Sequence, residues 1–398
     1  MPIYHTLGSI PKKRHTAFRK PNGGIYAEEL MGHEGFTGTS ALLYHVHPPT
    51  TVKSVRRIKE TKLEADPDAT LKHRHFRTAQ ARKGGSPTLD RIPLLFNQDV
   101  AMSYVEPDEQ DAHFYRNAQA DELVYIAKGA GTLESVFGDL PFHEGDYLVI
   151  HRGILHRYRF DQSAPDKPKM LVMESRGHVR WPKRYRNEFG QLKEGAPYSE
   201  RDIRRPMTLN THDEMGDFKL LVKQYDGINE LILDHHPFDV VGWDGYFYPW
   251  AFNINDFEPI VGRIHQPPPV HQTFEGDGFV VCSFCARPYD FDPNAVPAPY
   301  NHSNVDSDEV LYYASSEFMS RKGIEFGSIT HHPDGIPHGP HPGRAEASIG
   351  AKSTDELAVM MDTFRPLKVA KQAVEIEDPK YHRSWVDAQH EAFNPPTT

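Results

Sequence analysis

Short runs of β-branched and aromatic residues recur along the chain from residue 92 onward. Gly, Asp and Pro separate them at a spacing of about ten residues, and the clearest runs are 100–105, 122–126, 131–137 and 146–150. Runs of this length, broken by turn-forming residues, are typical of an antiparallel β-sandwich or barrel. The pattern therefore predicts a mostly β fold.

Three polar segments interrupt or flank this pattern. The chain before residue 92 is polar and irregular, residues 177–223 are rich in Arg, Glu and Pro, and the chain beyond Pro366 is charged and lacks the strand pattern. We expect residues 177–223 to form a connecting, partly helical excursion. The C-terminal tail is expected to wrap around the surface or a neighbouring subunit.

Two stretches repeat the same phrase, which reads Asn-x-x-x-Asp-Glu-apolar-apolar-Tyr. It begins at Asn117 and again at Asn304, so that Glu122 and Glu309 hold equivalent places. Only the second copy is preceded, two residues earlier, by a histidine, His302. We interpret the repeat as an internal duplication with one working copy.

Residues 144–156 predict a strand, a tight turn and a histidine, His156, on the next strand. This segment resembles the second signature motif of the cupin jelly rolls, whose first motif has two histidines ahead of its glutamate. The first copy has Tyr115 and Asn117 at those places, so it resembles a cupin barrel that has lost its metal, and we expect His156 to be structural. We therefore predict a bicupin-like jelly-roll or β-sandwich fold. Residues 1–255 are expected to form an N-terminal β-rich domain with a degenerate cupin at about 95–175. Residues 256–398 are expected to form a C-terminal catalytic cupin domain with a charged tail.

Composition and charge exclude several classes of function. The formal net charge is -10, so there is no overall positive field to attract nucleic acid. The chain shows neither a signal-peptide pattern nor a run of about 18 apolar residues that would predict a membrane span. Its two cysteines, Cys282 and Cys285, lie in an apolar strand-like run, where three-residue spacing puts them on opposite faces. We expect packing cysteines in a cytoplasmic protein that binds neither nucleic acid nor membrane.

The histidine-rich stretch 301–341 carries the candidate chemistry. Two imidazoles and one carboxylate form the ligand set of non-haem Fe(II) oxygenases, which leaves positions open for substrate and dioxygen. We predict His302, Glu309 and His338 as these ligands. The residues alone leave Asp308 open as the carboxylate, Mn(II) open as the metal, and three other histidines open as the third ligand, namely His331, His332 and His341.

Strand alternation and turn chemistry favour one choice among these alternatives. Adjacent residues of a strand face opposite sides, so only one of Asp308 and Glu309 points inward, and the parallel with Glu122 favours Glu309. His338 lies in a rigid Pro-His-Gly-Pro turn that suits a fixed imidazole. His332 is then expected to line the same pocket, and His331 to point away from it.

A second histidine pair flanks the triple proline 267–269. A histidine on such a stiff loop is a candidate general base, because its pKa lies near working pH. We predict His265 in this role. The alternative for His265, and more so for His271, is a loop histidine without a partner.

With these residues in place, the chain resembles the homogentisate 1,2-dioxygenase family over most of its length. The specific parts are the His265 loop, the segment from His302 to Glu309, and His338-Gly339-Pro340. The resemblance implies that His302, Glu309 and His338 bind Fe(II) and that His265 is the acid/base residue. It further implies a trimer or a dimer of trimers, and a substrate site that includes His338 and the pocket residues Asn304, Gly327 and His332.

Two substitutions bear on the substrate. Where many members of that family have arginine after the first ligand histidine, this chain has Ser303, and where they have a substrate-binding tyrosine it has Phe318. Arg321 is close enough in sequence to compensate for the missing charge. We expect an enzyme that converts homogentisate and O2 to 4-maleylacetoacetate in tyrosine and phenylalanine catabolism. The alternatives are ring cleavage of gentisate or hydroquinone, a non-catalytic bicupin that binds a metal or small ligand, and, ranked last, a zinc-dependent sugar isomerase.

Overall fold

The computed structural model describes residues 3–315 and 318–393, and most of its elements are short strands. The first sheet has four strands in the order β1 (His5–Gly8), β17 (Val240–Gly245), β3 (Thr37–His45) and β2 (Ala27–Glu34). The second has seven, in the order β11 (Gly138–Phe142), β10 (Gly131–Ser135), β13 (Leu155–Phe160), β8 (Phe114–Asn117), β15 (Met215–Gln224), β16 (Gly227–His235) and β4 (Val52–Glu60).

Two further large sheets and one small one complete the β structure. The third sheet follows the order β18 (Trp250–Asn253), β12 (Asp146–Ile150), β9 (Asp121–Lys128), β14 (Lys169–Ser175), β7 (Val100–Val105), β6 (Ile92–Phe96) and β26 (Lys368–Val369). The fourth follows the order β19 (Gln272–Gly276), β20 (Phe279–Phe284), β25 (Ala358–Thr363), β22 (Asp308–Tyr313), β23 (Ser328–His332) and β5 (Arg74–Arg77). Strands β21 (Arg287–Pro288) and β24 (Ser353–Thr354) form a separate pair, and the two α-helices are α1 (Arg344–Ser348) and α2 (Ser384–Phe393).

The mostly β, cupin-type architecture predicted from the sequence is confirmed. The runs at 100–105 and 146–150 are strands β7 and β12 with those bounds, and the run at 122–126 lies inside β9. One continuous apolar core joins the four large sheets through side chains such as Leu43, Leu133, Val124 and Val310. No helix in the described parts of the chain is long and apolar enough to cross a membrane.

Strand β22 is buried over its whole length and is covered on both faces. Val310 and Tyr312 belong to the main core, whereas Leu311 and Tyr313 pack with Cys282 and Met360 in a second cluster. Because successive side chains of a strand point to opposite sides, the apolar run after Glu309 serves two packed layers. The main core also contains Cys285, and both cysteines are buried and free.

The two halves of the chain exchange short strands. Strand β5, which lies within the predicted N-terminal domain, pairs with β23, and β26 from the C-terminal tail pairs with β6. The tail also pairs with the N-terminal half through side chains, since Glu377 accepts hydrogen bonds from Arg74 at 2.8 and 3.0 Å. The tail therefore packs against this chain's own surface.

The expectation of a partly helical segment at 177–223 is wrong. The segment contains only the short 3-10 turns Lys183–Tyr185 and Glu200–Asp202 before β15 begins at Met215. Its backbone is tied to neighbouring strands instead, through β-bridges of Arg180 with Glu275 and of Arg204 with Ala251. Those bridges satisfy backbone groups that a helix would otherwise pair internally.

An ion pair lies inside the N-terminal cupin-like half, at the place equivalent to Glu309. Arg91 donates two hydrogen bonds of 2.8 Å to the two oxygens of Glu122, and Asn117 donates a third of 2.9 Å. Burial alone would raise the pKa of Glu122, but the charge and hydrogen bonds of Arg91 hold it well below its ordinary value. At Glu122, therefore, the guanidinium of Arg91 provides the positive charge that balances the buried carboxylate.

Replacing Arg91 by Met should leave the Glu122 carboxylate buried without its cation. Loss of one partner of a buried ion pair costs about 3–5 kcal/mol, so urea unfolding should show a free energy of unfolding lower by that amount. Arg82→Met is the matched control, because Arg82 is 65% exposed and lies 3.6 Å from Asp90, and it should change stability by less than about 0.5 kcal/mol. An unchanged unfolding midpoint for Arg91→Met would contradict the structural role of the pair.

Candidate metal centre

The backbone holds His302 and His338 opposite each other. The His302 N–H donates to the His338 carbonyl at 2.8 Å, and the His338 N–H donates to the His302 carbonyl at 2.9 Å. The two imidazole centroids are 4.2 Å apart. Gly339 is required next to this bridge, since a Cβ there would lie 2.1 Å from the Asn301 side-chain oxygen. The separation of the two rings is thus fixed by main-chain bonds between segments 36 residues apart in the sequence.

Strand β22 brings the Glu309 carboxylate between these rings. One oxygen lies 3.6 Å from Nε2 of His302, and the other lies 3.4 Å from Nε2 of His338. Ligand atoms of His302, Glu309 and His338 all lie within 4.8 Å of one another. The structure therefore brings together the three residues predicted from the sequence as metal ligands.

His332 supports the carboxylate from the neighbouring strand. Glu309 and His332 are directly opposite in the β22–β23 register, and Nδ1 of His332 lies 2.8 Å from the Glu309 carboxylate. The ring of His332 stacks on that of His338 with centroids 4.8 Å apart. His332 thus fixes the position of Glu309 by a hydrogen bond from Nδ1.

The hydrogen bonds around the histidines define which nitrogens are free. Nδ1 of His302 lies 3.1 Å from the Tyr300 carbonyl oxygen. Because a carbonyl oxygen can only accept, Nδ1 is the donor, and Nε2 is the nitrogen that faces Glu309. Within the described residues, both ring nitrogens of His338 and Nε2 of His332 are buried without a hydrogen-bond partner. Buried polar atoms are rarely left unpaired. A metal-binding imidazole usually donates its other ring N–H to a group such as a backbone carbonyl, as His302 does. These features fit a bound divalent cation.

The electrostatics agree with that fit. Burial would raise the pKa of Glu309, but the nearby imidazoles of His302, His332 and His338 bring it well below its ordinary value. The hydrogen bond with Glu309 raises the pKa of His302, whereas burial lowers that of His332 well below the usual range. The ionised Glu309 carboxylate is in the state that binds a metal, and a metal would have to replace the proton that Glu309 stabilises on His302.

Asp308 faces the other side of strand β22. Its carboxylate lies 2.9 Å from Nε2 of His331 and accepts the backbone N–H groups of Asp334 at 2.9 Å and Leu367 at 2.8 Å. Those bonds fix the two chain segments that follow β23 and β25. Asp308 and His331 are thereby placed away from His302 and His338.

A small cavity of about 110 Å³ opens beside the triad. Its walls include His302, Glu309, His265, Phe318 and Arg321. His265 is 42% exposed and lies near the mouth, with Nδ1 3.8 Å from Asp290 and its ring 5.1 Å from Tyr300. Tyr300 in turn lies 6.3 Å from His302, measured between ring centroids. His265 therefore shares the cavity but does not contact the triad directly.

Of the residues expected at the substrate site, Phe318 lines this cavity. Asn304, Gly327, His332 and His338 are not among its lining residues. Gly327 precedes β23 with a φ of +83°, and a Cβ there would lie 2.4 Å from the Thr78 hydroxyl. Its N–H donates to Tyr313 and its carbonyl accepts from Thr78, so turn geometry explains the glycine.

Arg321 is the most unusual residue of the cavity wall. It is buried, and no carboxylate of the described residues forms an ion pair with it. Its guanidinium donates to the Gly339 carbonyl and lies 5.6 Å from the Trp385 ring centroid, while Nε is buried without a partner. A buried cation without a counter-ion is costly, so this wall is suited to an anionic ligand.

Sequence reasoning missed two aromatic residues behind the histidines. The ring of His73 lies 5.5 Å from that of His332 and 6.2 Å from that of His338. Trp385 of helix α2 lies 4.7 Å from His73 and donates to the Gly339 carbonyl at 3.1 Å. Both reach the site from distant parts of the chain, and no local sequence signal marks them.

The fold and site define a cupin-type β protein with a two-histidine, one-carboxylate cluster at a cavity. Residues 96–254 match the family model described as homogentisate 1,2-dioxygenase N-terminal, a match that ends before the triad. A putative dioxygenase of Saccharolobus solfataricus is 44% identical over 388 residues, which cover 97% of this chain and 99% of that protein. The homogentisate 1,2-dioxygenases of Bradyrhizobium diazoefficiens and Oryza sativa are each 25% identical, over 92% and 95% of this chain and 86% and 87% of theirs. The chain therefore belongs to the same family as this putative dioxygenase, and it is similar over most of its length to the homogentisate 1,2-dioxygenases.

Glu309→Gln and Asp308→Asn separate the two neighbouring carboxyl groups. The first substitution removes the charge that faces His302 and His338, so the protein should no longer retain a divalent metal through gel filtration. The second keeps an acceptor for His331 and the backbone N–H groups, so metal content should stay at the wild-type value. Elemental analysis of purified protein loaded anaerobically with Fe(II) measures both, and a metal-free Asp308→Asn variant with metal retained in Glu309→Gln would reverse the assignment.

Proposed function

We propose that the chain is an Fe(II)-dependent ring-cleaving dioxygenase that converts homogentisate and O2 to 4-maleylacetoacetate. The observation that carries the proposal is the triad of His302, Glu309 and His338, in which both ring nitrogens of His338 are unpartnered and His302 and Glu309 line a cavity. The family relationship supports a dioxygenase acting on an aromatic ring. By the same relationship the enzyme works in tyrosine and phenylalanine catabolism, in the cytoplasm and as a trimer or hexamer.

In this proposal His302, Glu309 and His338 hold the iron. Bound Fe(II) would supply the transfer of electron density between the aromatic substrate and dioxygen. The chain's own residues contribute position: the β-bridge sets the distance between His302 and His338, and His332 holds the carboxylate from behind. Packing of His73 and Trp385 against the same rings keeps water from the rear of the site.

His265 is proposed as the group that accepts the proton of a ring hydroxyl. It lies on the wall of the same cavity as His302 and Glu309, on a loop stiffened by three prolines. A partly exposed imidazole can pass the proton on to solvent. The proton acceptor thus lies at the cavity mouth, apart from the metal ligands.

Arg321 is proposed to bind the carboxylate of the substrate. It is the buried cation at the cavity wall without an acidic partner in the described residues, and a bound carboxylate would supply that partner. Phe318 offers only an apolar ring to the same cavity. If Arg321 does not take this role, the apolar wall favours hydroquinone, which has no carboxylate.

Dioxygen uptake by Fe(II)-loaded protein tests the reaction and the substrate together. Homogentisate, gentisate and hydroquinone are compared at equal concentration with an oxygen electrode, and we expect uptake with homogentisate. Arg321→Met should raise the KM for homogentisate about 100-fold, since a charge-assisted hydrogen bond contributes about 1.5–3 kcal/mol, and should leave any slow uptake with hydroquinone unchanged. Uptake with gentisate or hydroquinone alone would replace the substrate, and no uptake with iron bound would refute the enzyme.

His265→Asn tests the proton acceptor. General-base catalysis contributes about 10²–10⁴-fold, so kcat should fall within that range while the iron content stays at the wild-type level. His15→Asn is the control, because His15 is an exposed histidine that contacts Glu28 far from the cavity lining. Full turnover by His265→Asn with iron bound would exclude the assignment.

A further inference from the structure

A second cluster of histidines surrounds Asp121, on the opposite face of β9 from Glu122. One ligand atom each from His33, Asp121 and His178 lies within 4.8 Å of the others. The rings of His33 and His178 are 4.0 Å apart, and His151 lies 4.5 Å from His178 on its other side. Three imidazoles and a buried carboxylate are thus assembled from four separate segments of the chain.

The donor set is the same in kind as that at Glu309. There the carboxylate is surrounded by His302, His332 and His338, of which two are the candidate ligands. Here Nδ1 of both His151 and His178 lies within hydrogen-bond distance of Asp121, at 2.9 and 3.1 Å. His151 orients the carboxylate as His332 orients Glu309, whereas His178 would exchange its hydrogen bond for the metal and His33 would supply the second imidazole.

The surroundings provide both support and access. His151 also accepts a 3.4 Å contact from the indole N–H of Trp250, so the residue that orients Asp121 is itself held. A cavity of about 260 Å³ opens beside His178 and is lined by Thr39, Trp181 and Trp250 among others. His33 and His178 are half-buried rather than fully enclosed, which leaves a route for an ion.

We propose that His33, Asp121 and His178 form a second metal site, which binds a late first-row divalent cation such as Zn²⁺. Imidazole and carboxylate donors suit that class of ion. The site joins β2 of the four-stranded sheet to β9 and to the segment after β14, so its role is to link sheets. It is separate from the triad and does not depend on the reaction proposed above.

Metal stoichiometry tests this site without any assay of activity. Zn²⁺ is the probe, the protein is dialysed to equilibrium, and bound metal per chain is measured by elemental analysis. In a His338→Ala background, which removes the triad site, one equivalent should remain bound, and adding His178→Gln should abolish it. Zn²⁺ should also raise the melting temperature of His338→Ala protein but not of the double variant.

Controls keep the outcomes distinct. His33→Gln removes another ligand from a different strand, so it replaces His178→Gln if that variant fails to fold by circular dichroism. His212→Gln should change nothing, because His212 stacks on His236 at 3.8 Å beside Glu214 but belongs to no such three-residue group in the described residues. Zn²⁺ retained after His178→Gln, or none bound in the folded His338→Ala protein, would show that the Asp121 cluster is a hydrogen-bonded network only. If the wild type and the His338→Ala protein each bind one equivalent of Zn²⁺, the result supports the site at Asp121 and contradicts Zn²⁺ binding at the triad.

Discussion

A carboxylate buried in a β-sheet core must be surrounded by donors or cations, and this requirement shapes both halves of the chain. Each copy of the repeated phrase places an Asp and a Glu at adjacent positions at the start of a buried strand. Strand geometry sends the two carboxylates to opposite faces. Because an isolated buried charge is very costly, each face must supply its own compensation, and the surrounding segments are positioned accordingly.

The Asp of each pair organises the loops that carry histidines. Asp308 binds the backbone N–H of Asp334, in the turn that leads to His338. Asp121 binds the N–H of Arg152 and of Val179, next to His151 and His178. Each aspartate thus helps to determine where the neighbouring histidines lie, since it holds their loops by main-chain hydrogen bonds.

Local patterns predicted the parts of the site that depend on one strand and its neighbours in sequence. Alternation and the repeat together favoured Glu309 over Asp308, and the structure places Glu309 beside His302 and His338. The mutual bridge of His302 and His338, the packing of His73 and Trp385, and the exposure of His265 depend on contacts between distant segments, which no local pattern encodes. The segment 177–223 was misjudged for the same reason: Arg180 and Arg204 pair with Glu275 and Ala251, and these tertiary bonds override local composition.

The buried carboxylates of Glu122 and Glu309 differ in whether the cation that balances their charge can dissociate. Glu122 is neutralised by Arg91, a cation that is part of the chain and remains charged at any pH the protein meets. Glu309 is surrounded by imidazoles instead, and burial keeps one of them, His332, neutral. The negative charge of Glu309 is therefore compensated by a proton on His302 or by an exchangeable ion. A metal at the triad would replace that proton, because both need Nε2 of His302 and the same carboxylate. The choice of side chain facing one buried glutamate therefore separates a permanently closed ion pair from a site that can accept and release a cation.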